Sequence, residues 1–196
     1  MYVLRKACRQ QREWREQGLG NVHMAVNMSG RSIIAETFVD DVLDVLGRED
    51  VRPEHLGIEI TETAFMSNMA EASRGIAALS EQGIQIYLDD FGTGYSSLYY
   101  LHTMPIASLK IDKSFIDGIN APLNASNELV KTVLTLASGL GMATVAEGVE
   151  TREQIDFLAE NGCSAIQGYI FSQALSGSDF ATYLKGSAES IAAVMA

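Results

Sequence analysis

Two adjacent aspartates, Asp89 and Asp90, are the residues of this sequence whose chemistry is easiest to name. They follow residues 84–88, an apolar and polar alternation that predicts a strand, and they precede a glycine-punctuated loop. Two carboxylates near one site repel each other unless a cation neutralises them, and Mg²⁺ or Mn²⁺ prefers oxygen ligands. Aspartates before a glycine more often only form a turn, so a metal site needs support from the rest of the chain.

A protein-kinase interpretation of this stretch fails. Asp90, Phe91 and Gly92 spell the magnesium motif of kinases, but that motif requires an upstream glycine-rich loop and a His-Arg-Asp catalytic loop. The sequence has neither.

Because neighbouring strand residues point to opposite faces, the side chains of Asp89 and Asp90 are expected on opposite sides of the local backbone.

Polar residues recur at the ends of the other predicted strands. The predicted strands are residues 23–29, 56–62, 84–88, 107–112, 142–147 and 162–169. Polar residues within or just after them include Asn27, Glu59, Asp89, Asp90, Lys110, Asp112, Glu147 and Gln167. This repetition raises the aspartate pair above a simple turn, because the carboxyl ends of parallel strands meet at one edge of a sheet.

Each of these residues also has a structural interpretation. Asn27 at a strand end is more often a turn residue than a metal ligand. Glu59 between two isoleucines points either inward, where it needs a partner, or toward solvent on a plain strand face. Lys110 either stabilises developing negative charge and orients a water, or is an edge lysine with its ammonium in water.

Helical segments separate the predicted strands and indicate the fold class. Apolar spacing predicts helices over residues 2–17, 37–47, 68–82, 96–103, 126–139, 151–160 and 178–195, the second of them ending at Gly47. About six rounds of strand and helix predict an α/β protein with a parallel sheet and helices outside. An open doubly wound sheet has its site at one switch point, so ligands spread over many strands favour a TIM-type (β/α) barrel.

Composition limits the classes of protein that this chain represents. Its 196 residues allow a single domain over residues 1–196, and 25 acidic against 14 basic residues give a net charge of −11. That charge argues against binding a nucleic-acid polymer. Two isolated cysteines, no signal-peptide core and no apolar run of about 18 residues predict a cytoplasmic domain without membrane contact.

The linked motifs resemble the EAL domain, the family of cyclic-di-GMP phosphodiesterases. The resemblance covers almost the whole chain and depends on the order of six motifs. They are Val26-Asn27-Met28-Ser29, Glu59-Ile60-Thr61-Glu62, residues 89–98 from Asp89 to Leu98, Leu109-Lys110-Ile111-Asp112, residues 146–150 from Ala146 to Glu150, and Gln167-Gly168-Tyr169. The resemblance implies hydrolysis of cyclic-di-GMP to linear pGpG with two Mg²⁺ or Mn²⁺ ions.

By this resemblance each motif residue has an expected role. Asn27, Glu59 and Asp89 are expected to bind one ion, and Asp89, Asp90 and Glu147 the second. Lys110 and Glu147 are the expected catalytic residues, with Lys110 orienting the attacking water. The expected loop-positioning residues are Glu62, Thr93 and Gly94, and the expected substrate-side or outer residues are Asp112, Glu150 and Gln167. A homodimer and sensor or GGDEF-type domains in a parent protein also accord with the family.

The chain departs from the family pattern in two places. It contains no Glu-Ala-Leu motif, whose glutamate is a family metal ligand, so we expect an incomplete barrel that lacks the first strands and first helix. Ser172-Gln173-Ala174-Leu175 stands where the family usually has a basic residue and a proline. We expect impaired hydrolysis by this chain alone, as a fragment of a longer phosphodiesterase. A degenerate module that binds cyclic-di-GMP or a protein partner, or strands supplied by another chain, are the alternatives.

Overall fold

The strands form one parallel sheet at the centre of the molecule. The computed structural model describes residues 1–67, 69–92, 98–119 and 125–195. Within those ranges, six strands pair side by side in chain order, and every pair is parallel. The strands are β1 (Met24–Asn27), β2 (Leu56–Thr61), β3 (Gln85–Phe91), β4 (Ser108–Ile111), β5 (Ala143–Ala146) and β6 (Ala165–Ile166).

Helices connect these strands and cover one face of the sheet. They are α1 (Tyr2–Glu16), α2 (Gly30–Ile33), α3 (Phe38–Glu49), α4 (Glu62–Ser67), α5 (Met69–Glu81), α6 (Leu98–Thr103), α7 (Lys113–Asp117), α8 (Ala125–Gly139), α9 (Arg152–Glu160) and α10 (Gly177–Met195), with a 3₁₀ turn at Pro53–His55. The long predicted helices are confirmed. The short ones, α2, α4 and α7, were not predicted because single turns carry no apolar period.

Alternation along the strands separates an apolar face from a polar one. Ile58 and Ile60 are buried in the main hydrophobic cluster with Ile86 and Leu88 of the next strand. Burial of this face against helices is the main stabilising contribution of the fold. Glu59, between the two isoleucines, therefore points to the other face, as one of its two interpretations required.

The order of the strands distinguishes the two predicted architectures. A doubly wound sheet reverses its strand order at a switch point. Here the order runs from β1 to β6 without a reversal in the described part of the chain, so the doubly wound alternative is wrong. The sheet is that of an incomplete (β/α) barrel, and within the described ranges β1 pairs only with β2, and β6 only with β5.

The predicted end of α3 at Gly47 is wrong. The helix continues to Glu49 and ends at Asp50, which adopts a left-handed conformation with φ 53°. Glycine inside a helix costs about 1 kcal/mol relative to alanine. Burial of Val45 and Leu46 at this end of the helix offsets that cost.

Two further observations concern the start of α9 and the helices as a group. Thr151 caps α9, and its partner in the capping box is Gln154, while Glu153 supplies only an acidic residue in the first turn. None of the helices in the described ranges is long and apolar enough to cross a membrane.

A candidate metal centre at the carboxyl ends of the strands

Lys110 of β4 is the centre of a buried charge cluster. Its Nζ lies 2.9 Å from Glu59 Oε2 on β2, 3.0 Å from Asp89 Oδ1 on β3 and 2.7 Å from Glu147 Oε1, directly after β5. The lysine side chain is only 7% exposed, so the interpretation as a snorkelling edge lysine is wrong. Four parallel strands thus bring their polar residues together at one end of the sheet.

Asn27 extends this cluster to β1. Its Nδ2 donates a hydrogen bond of 3.0 Å to Glu59 Oε2, the same oxygen that accepts from Lys110. Asn27 and Glu59 are also directly paired in the register of β1 and β2. With Nδ2 turned to the carboxylate, Oδ1 of Asn27 remains as an oxygen that a hard cation can bind.

A backbone irregularity brings Asp89 and Asp90 to the same side of the chain. The register of β3 against β4 shifts between Leu88 and Phe91, and Asp90 adopts a positive φ of 54°. A bulge of this kind re-aims a side chain that strict alternation would point away. The expectation that the two carboxylates lie on opposite sides is therefore wrong. A positive φ is uncommon in non-glycine residues, although aspartate adopts it more readily than most, and here it accompanies the approach of the Asp90 carboxylate to Asp89 and Glu147.

Three carboxylates form a donor set that fits a divalent cation. One oxygen from each of Asp89, Asp90 and Glu147 can be chosen so that all three lie within 4.8 Å of one another. An all-oxygen, all-anionic set suits Mg²⁺, Mn²⁺ or Ca²⁺ better than a soft metal. Asp89 also contacts the Lys110 ammonium, which Glu59 contacts as well.

The surroundings of Asp90 and Glu147 disfavour the charged form of both carboxylates. Burial, and then the charges of Asp89 and Asp112, raise the pKa of Asp90, although Lys110 lowers it. Burial also raises the pKa of Glu147, against the hydrogen bond from Lys110. Burial disfavours the charged form of Lys110 as well, but its hydrogen bonds with Glu147 and Glu59 outweigh that cost and raise its pKa. The lysine is thus held charged as a counter-cation to the acidic residues.

Glu62 ties the glycine loop to the end of β2. It is 1% exposed, and its Oε2 accepts a 2.9 Å hydrogen bond from the backbone N–H of Gly92. The loop that begins at Gly92 is thereby joined to the first residue of α4. The predicted loop residues Thr93 and Gly94 lie outside the described residues.

Asp112 and Glu150 lie outside the charge cluster. Asp112 caps α7, accepting from the backbone N–H of Ser114 at 3.0 Å and from the Ser114 hydroxyl. Glu150 pairs at 2.8 Å with Lys113, which also binds Asp117 and was not singled out from the sequence. The order Asp-Lys-Ser at residues 112–114 is an N-cap signal that could have identified the role of Asp112.

Two open cavities meet beside the cluster at Gln167. One, of about 940 Å³, is bounded by α1, β1 and the start of α10, and Glu59, Asp89, Lys110 and Glu147 form its inner wall. The other, of about 710 Å³, is lined by Lys113 and Glu150 and by the aromatic residues Tyr169, Phe171, Phe180 and Tyr183. Gln167 is exposed and lines both, so it is positioned to contact a ligand that extends from one cavity to the other.

A family model matches the part of the chain that contains these site residues. The sequence model of the EAL domain matches residues 1–174, which include every strand of the sheet. The chain belongs to the EAL domain family. Among curated relatives, the cyclic di-GMP phosphodiesterase NbdA of Pseudomonas aeruginosa is 39% identical over 89% of this chain. The match spans 22% of NbdA, so this EAL chain covers only part of the length of the curated relative.

Solved structures of the family share the fold. The PaMucR phosphodiesterase in complex with c-di-GMP is 37% identical, with a TM-score of 0.87 over 91% of this chain and 72% of that chain. Klebsiella pneumoniae BlrP1, solved with manganese and c-di-GMP, is 29% identical, with a TM-score of 0.76 over 85% of this chain and 42% of that chain. The expected fold class, an incomplete barrel of the EAL type, is confirmed.

Proposed function

We propose that this EAL chain carries the catalytic face of a metal-dependent phosphodiesterase that hydrolyses c-di-GMP to linear pGpG. One observation carries the proposal: Glu59, Asp89 and Glu147, from three strands, converge on Lys110 at the wall of an open cleft. The relatives add the substrate, because NbdA is named a cyclic di-GMP phosphodiesterase and PaMucR was solved with c-di-GMP.

In this proposal the acidic residues hold two divalent cations, Mg²⁺ or Mn²⁺. Asp89, Asp90 and Glu147 would hold one cation, and Asn27, Glu59 and Asp89 would hold the other. When bound, the cations would activate a water and stabilise the negative charge that develops on the phosphate. BlrP1 supports the choice of metal, since it was solved with manganese as well as with calcium.

The chain's own residues then orient the reactants. Lys110 Nζ, fixed among three carboxylates, is placed to donate a hydrogen bond to the attacking water or to a phosphate oxygen. Water attacks the phosphorus in line with the 3′-oxygen and gives up a proton, the phosphorus–oxygen bond to the 3′-oxygen breaks, and the departing 3′-oxygen takes up a proton. Glu62 holds the loop at Gly92 against the site, while Glu150 and Gln167 line the side where the rest of the substrate lies.

The test is hydrolysis of c-di-GMP in the presence of Mn²⁺, followed by chromatographic detection of pGpG. Asp90→Asn keeps the side-chain shape and tolerates the positive φ, so it removes the negative charge of a proposed ligand without disturbing the backbone. We expect it to abolish product formation, while Asp156→Asn, in an exposed pair with Arg152, changes nothing. Product formation by Asp90→Asn at the wild-type rate would overturn the proposal. Binding of c-di-GMP without any hydrolysis, both by this chain and by the chain with an EAL-family N-terminal segment added, would instead support a signalling module.

We also propose that this 196-residue chain alone hydrolyses c-di-GMP slowly. The cleft of about 940 Å³ opens directly beside Asn27 and Glu59, and β1 has no second strand partner in the described ranges. An open edge leaves these residues hydrated and less rigidly held. Adding an EAL-family N-terminal segment before residue 1 should raise the rate of pGpG formation. An equal rate with and without that segment would show that the remaining site is sufficient.

A further inference from the structure

Tyr87 lies next to the charge cluster but has no role in the family resemblance. It is paired with Glu59 in the register of β2 and β3, so the two side chains share the inner face of the sheet. It also precedes Asp89 by two residues on the same face of β3. Tyr87 is therefore adjacent to two of the expected metal ligands.

The ring of Tyr87 leans across Gly57 on the neighbouring strand. A Cβ built on Gly57 would overlap Tyr87 Cε2 and would come within 3.1 Å of His23 Cε1. Gly57 precedes Glu59 by two residues on the same face, about 6.6 Å toward the amino end of β2. The ring thus occupies the space on the amino-terminal side of the Glu59 side chain, opposite the open end of the site.

Polar contacts fix the ring in that place. The Tyr87 hydroxyl donates to Gln85 Oε1 and lies 3.3 Å from His23 Nε2, while the two rings are 5.9 Å apart between centroids. Contacts to residues before β1 and within β3 hold the ring across β2 from both sides.

Glu59 needs such support because its carboxylate serves two neighbours at once. Its Oε2 accepts from Asn27 on one side and from Lys110 on the other, at 3.0 and 2.9 Å. Glutamate has a long, flexible side chain, and ordering it costs conformational entropy unless packing restricts it. The ring over Gly57 would exclude the positions in which the carboxylate turns toward the amino end of β2.

We propose that Tyr87 is a positioning residue that forms the floor under Glu59, and that Gly57 is required because only a residue without Cβ leaves room for the ring. The inference rests on the proposed function in one respect, since it takes Glu59 as a metal ligand. It assigns Tyr87 no contact with substrate or metal, and its action is to keep Glu59 in the geometry that binds the cation.

The test is the affinity for Mn²⁺, measured by titration calorimetry on the whole chain. Tyr87→Ala should weaken binding about tenfold, the effect typical of losing an outer support of a metal ligand. Tyr87→Phe keeps the ring but loses the hydroxyl contacts that hold it, so it should weaken Mn²⁺ binding less than Tyr87→Ala does. Gly57→Ala should also weaken binding, because its methyl group displaces the ring.

A double substitution separates this role from a general loss of packing. Gly57→Ala with Tyr87→Ala should bind Mn²⁺ no more weakly than Tyr87→Ala alone, since the methyl group then meets no ring. Additive losses would overturn the proposal. So would equal losses in Tyr87→Phe and Tyr87→Ala, because the hydroxyl and not the ring would then matter. Thermal unfolding of each variant confirms that the protein titrated is folded.

Failure of this inference and failure of the proposed function give different results. If wild type binds Mn²⁺ and Tyr87→Ala binds it equally well, only the positioning role is wrong. If wild type binds no Mn²⁺, the proposed metal site is wrong and the positioning role fails with it. Should Tyr87→Ala not fold, Gly57→Ala decides alone: wild-type affinity in that variant would overturn the proposal.

Discussion

Lys110 and Lys113 are three residues apart at the end of β4, and both contact carboxylates, but their surroundings differ. Lys110 is 7% exposed and lies within 3.0 Å of three carboxylates from three different segments. Lys113 is 46% exposed and pairs at 2.8 Å with Asp117, on its own helix, and with Glu150. The two lysines therefore form the same kind of ion pair in two environments, one buried and one exposed to solvent.

The comparison shows that the distance between two charged groups does not by itself determine how much their interaction contributes to stability. Water screens the exposed pairs, and pairs of that kind contribute little to stability. In the interior, each charge has lost hydration, and removing one partner leaves the others buried and uncompensated. A buried excess of acid over base is unfavourable for folding by itself, which is why the Lys110 cluster points to cation binding and the Lys113 pairs do not.

The largest effect should follow from removing the central ammonium. Lys110→Met keeps the side-chain length and leaves Glu59, Asp89 and Glu147 without their counter-charge. We expect the free energy of unfolding, measured with urea in the presence of a chelator, to fall by about 3–5 kcal/mol. Mn²⁺ should restore part of this loss, since a cation replaces the missing charge.

Lys113→Met is the matched control for that experiment. It removes the same group from exposed pairs, so the free energy of unfolding should stay unchanged within error. Equal losses in the two variants would contradict the comparison. A stable Lys110→Met protein without metal would show that the acidic residues tolerate their mutual repulsion, which is against the present interpretation of the cluster.

A second prediction compares two glutamates that each bind a lysine. Glu147→Gln removes a carboxylate from the set formed with Asp89 and Asp90, and Mn²⁺ affinity should fall by at least about 100-fold. Glu150→Gln breaks an exposed pair with Lys113 and should leave Mn²⁺ affinity unchanged. Titration calorimetry measures both. A loss of Mn²⁺ affinity in Glu150→Gln equal to that in Glu147→Gln would remove the distinction between the two regions.

Much of this cluster could be predicted because strand alternation is a strong constraint. The isoleucines on either side of Glu59 require an apolar face, and that face determines where the glutamate points. The same rule failed at Asp89 and Asp90, where a bulge and a positive φ bring both carboxylates together. Sequence gives no sign of that bulge, because aspartate, unlike glycine, does not by itself indicate a left-handed conformation.

Residues whose role depends on a neighbouring strand were not predictable. Tyr87 acts across β2, and its place becomes clear only when the register sets it beside Glu59 and the absent Cβ of Gly57. The predicted helix end at Gly47 was wrong because the burial of Val45 and Leu46 in the core outweighed the local preference of glycine for a helix end. Local patterns thus predicted the elements, whereas packing between elements determined the exceptions.

A third prediction compares two carboxylates that accept from backbone N–H groups. Glu62 is buried and accepts from Gly92, whereas Asp112 is partly exposed and accepts from Ser114. Glu62→Gln replaces a charge-assisted hydrogen bond with a neutral one, and the free energy of unfolding should fall by about 1 kcal/mol. Hydrogen exchange at the Gly92 amide should become faster. Unchanged exchange there would mean that Glu62 does not hold the loop.

The smallest effect should be a change in the pH dependence of stability at Asp112. The hydrogen bond from the Ser114 hydroxyl, and then the one from its backbone N–H, hold the pKa of Asp112 below its usual range despite partial burial. A carboxyl whose pKa is lower in the folded state stabilises the protein above its unfolded pKa, about 3.9. That contribution is lost as the pH falls through the folded pKa.

Asp112→Asn tests this because asparagine also caps helices but does not titrate. Wild type should be slightly more stable than Asp112→Asn to urea at pH 7, and the difference should shrink below about pH 4. The difference is small because solvent screens a partly exposed carboxylate, in contrast to the Lys110 cluster. A constant difference at both pH values would mean that the charge of Asp112 does not strengthen the cap, and that shape and hydrogen bonding alone hold α7.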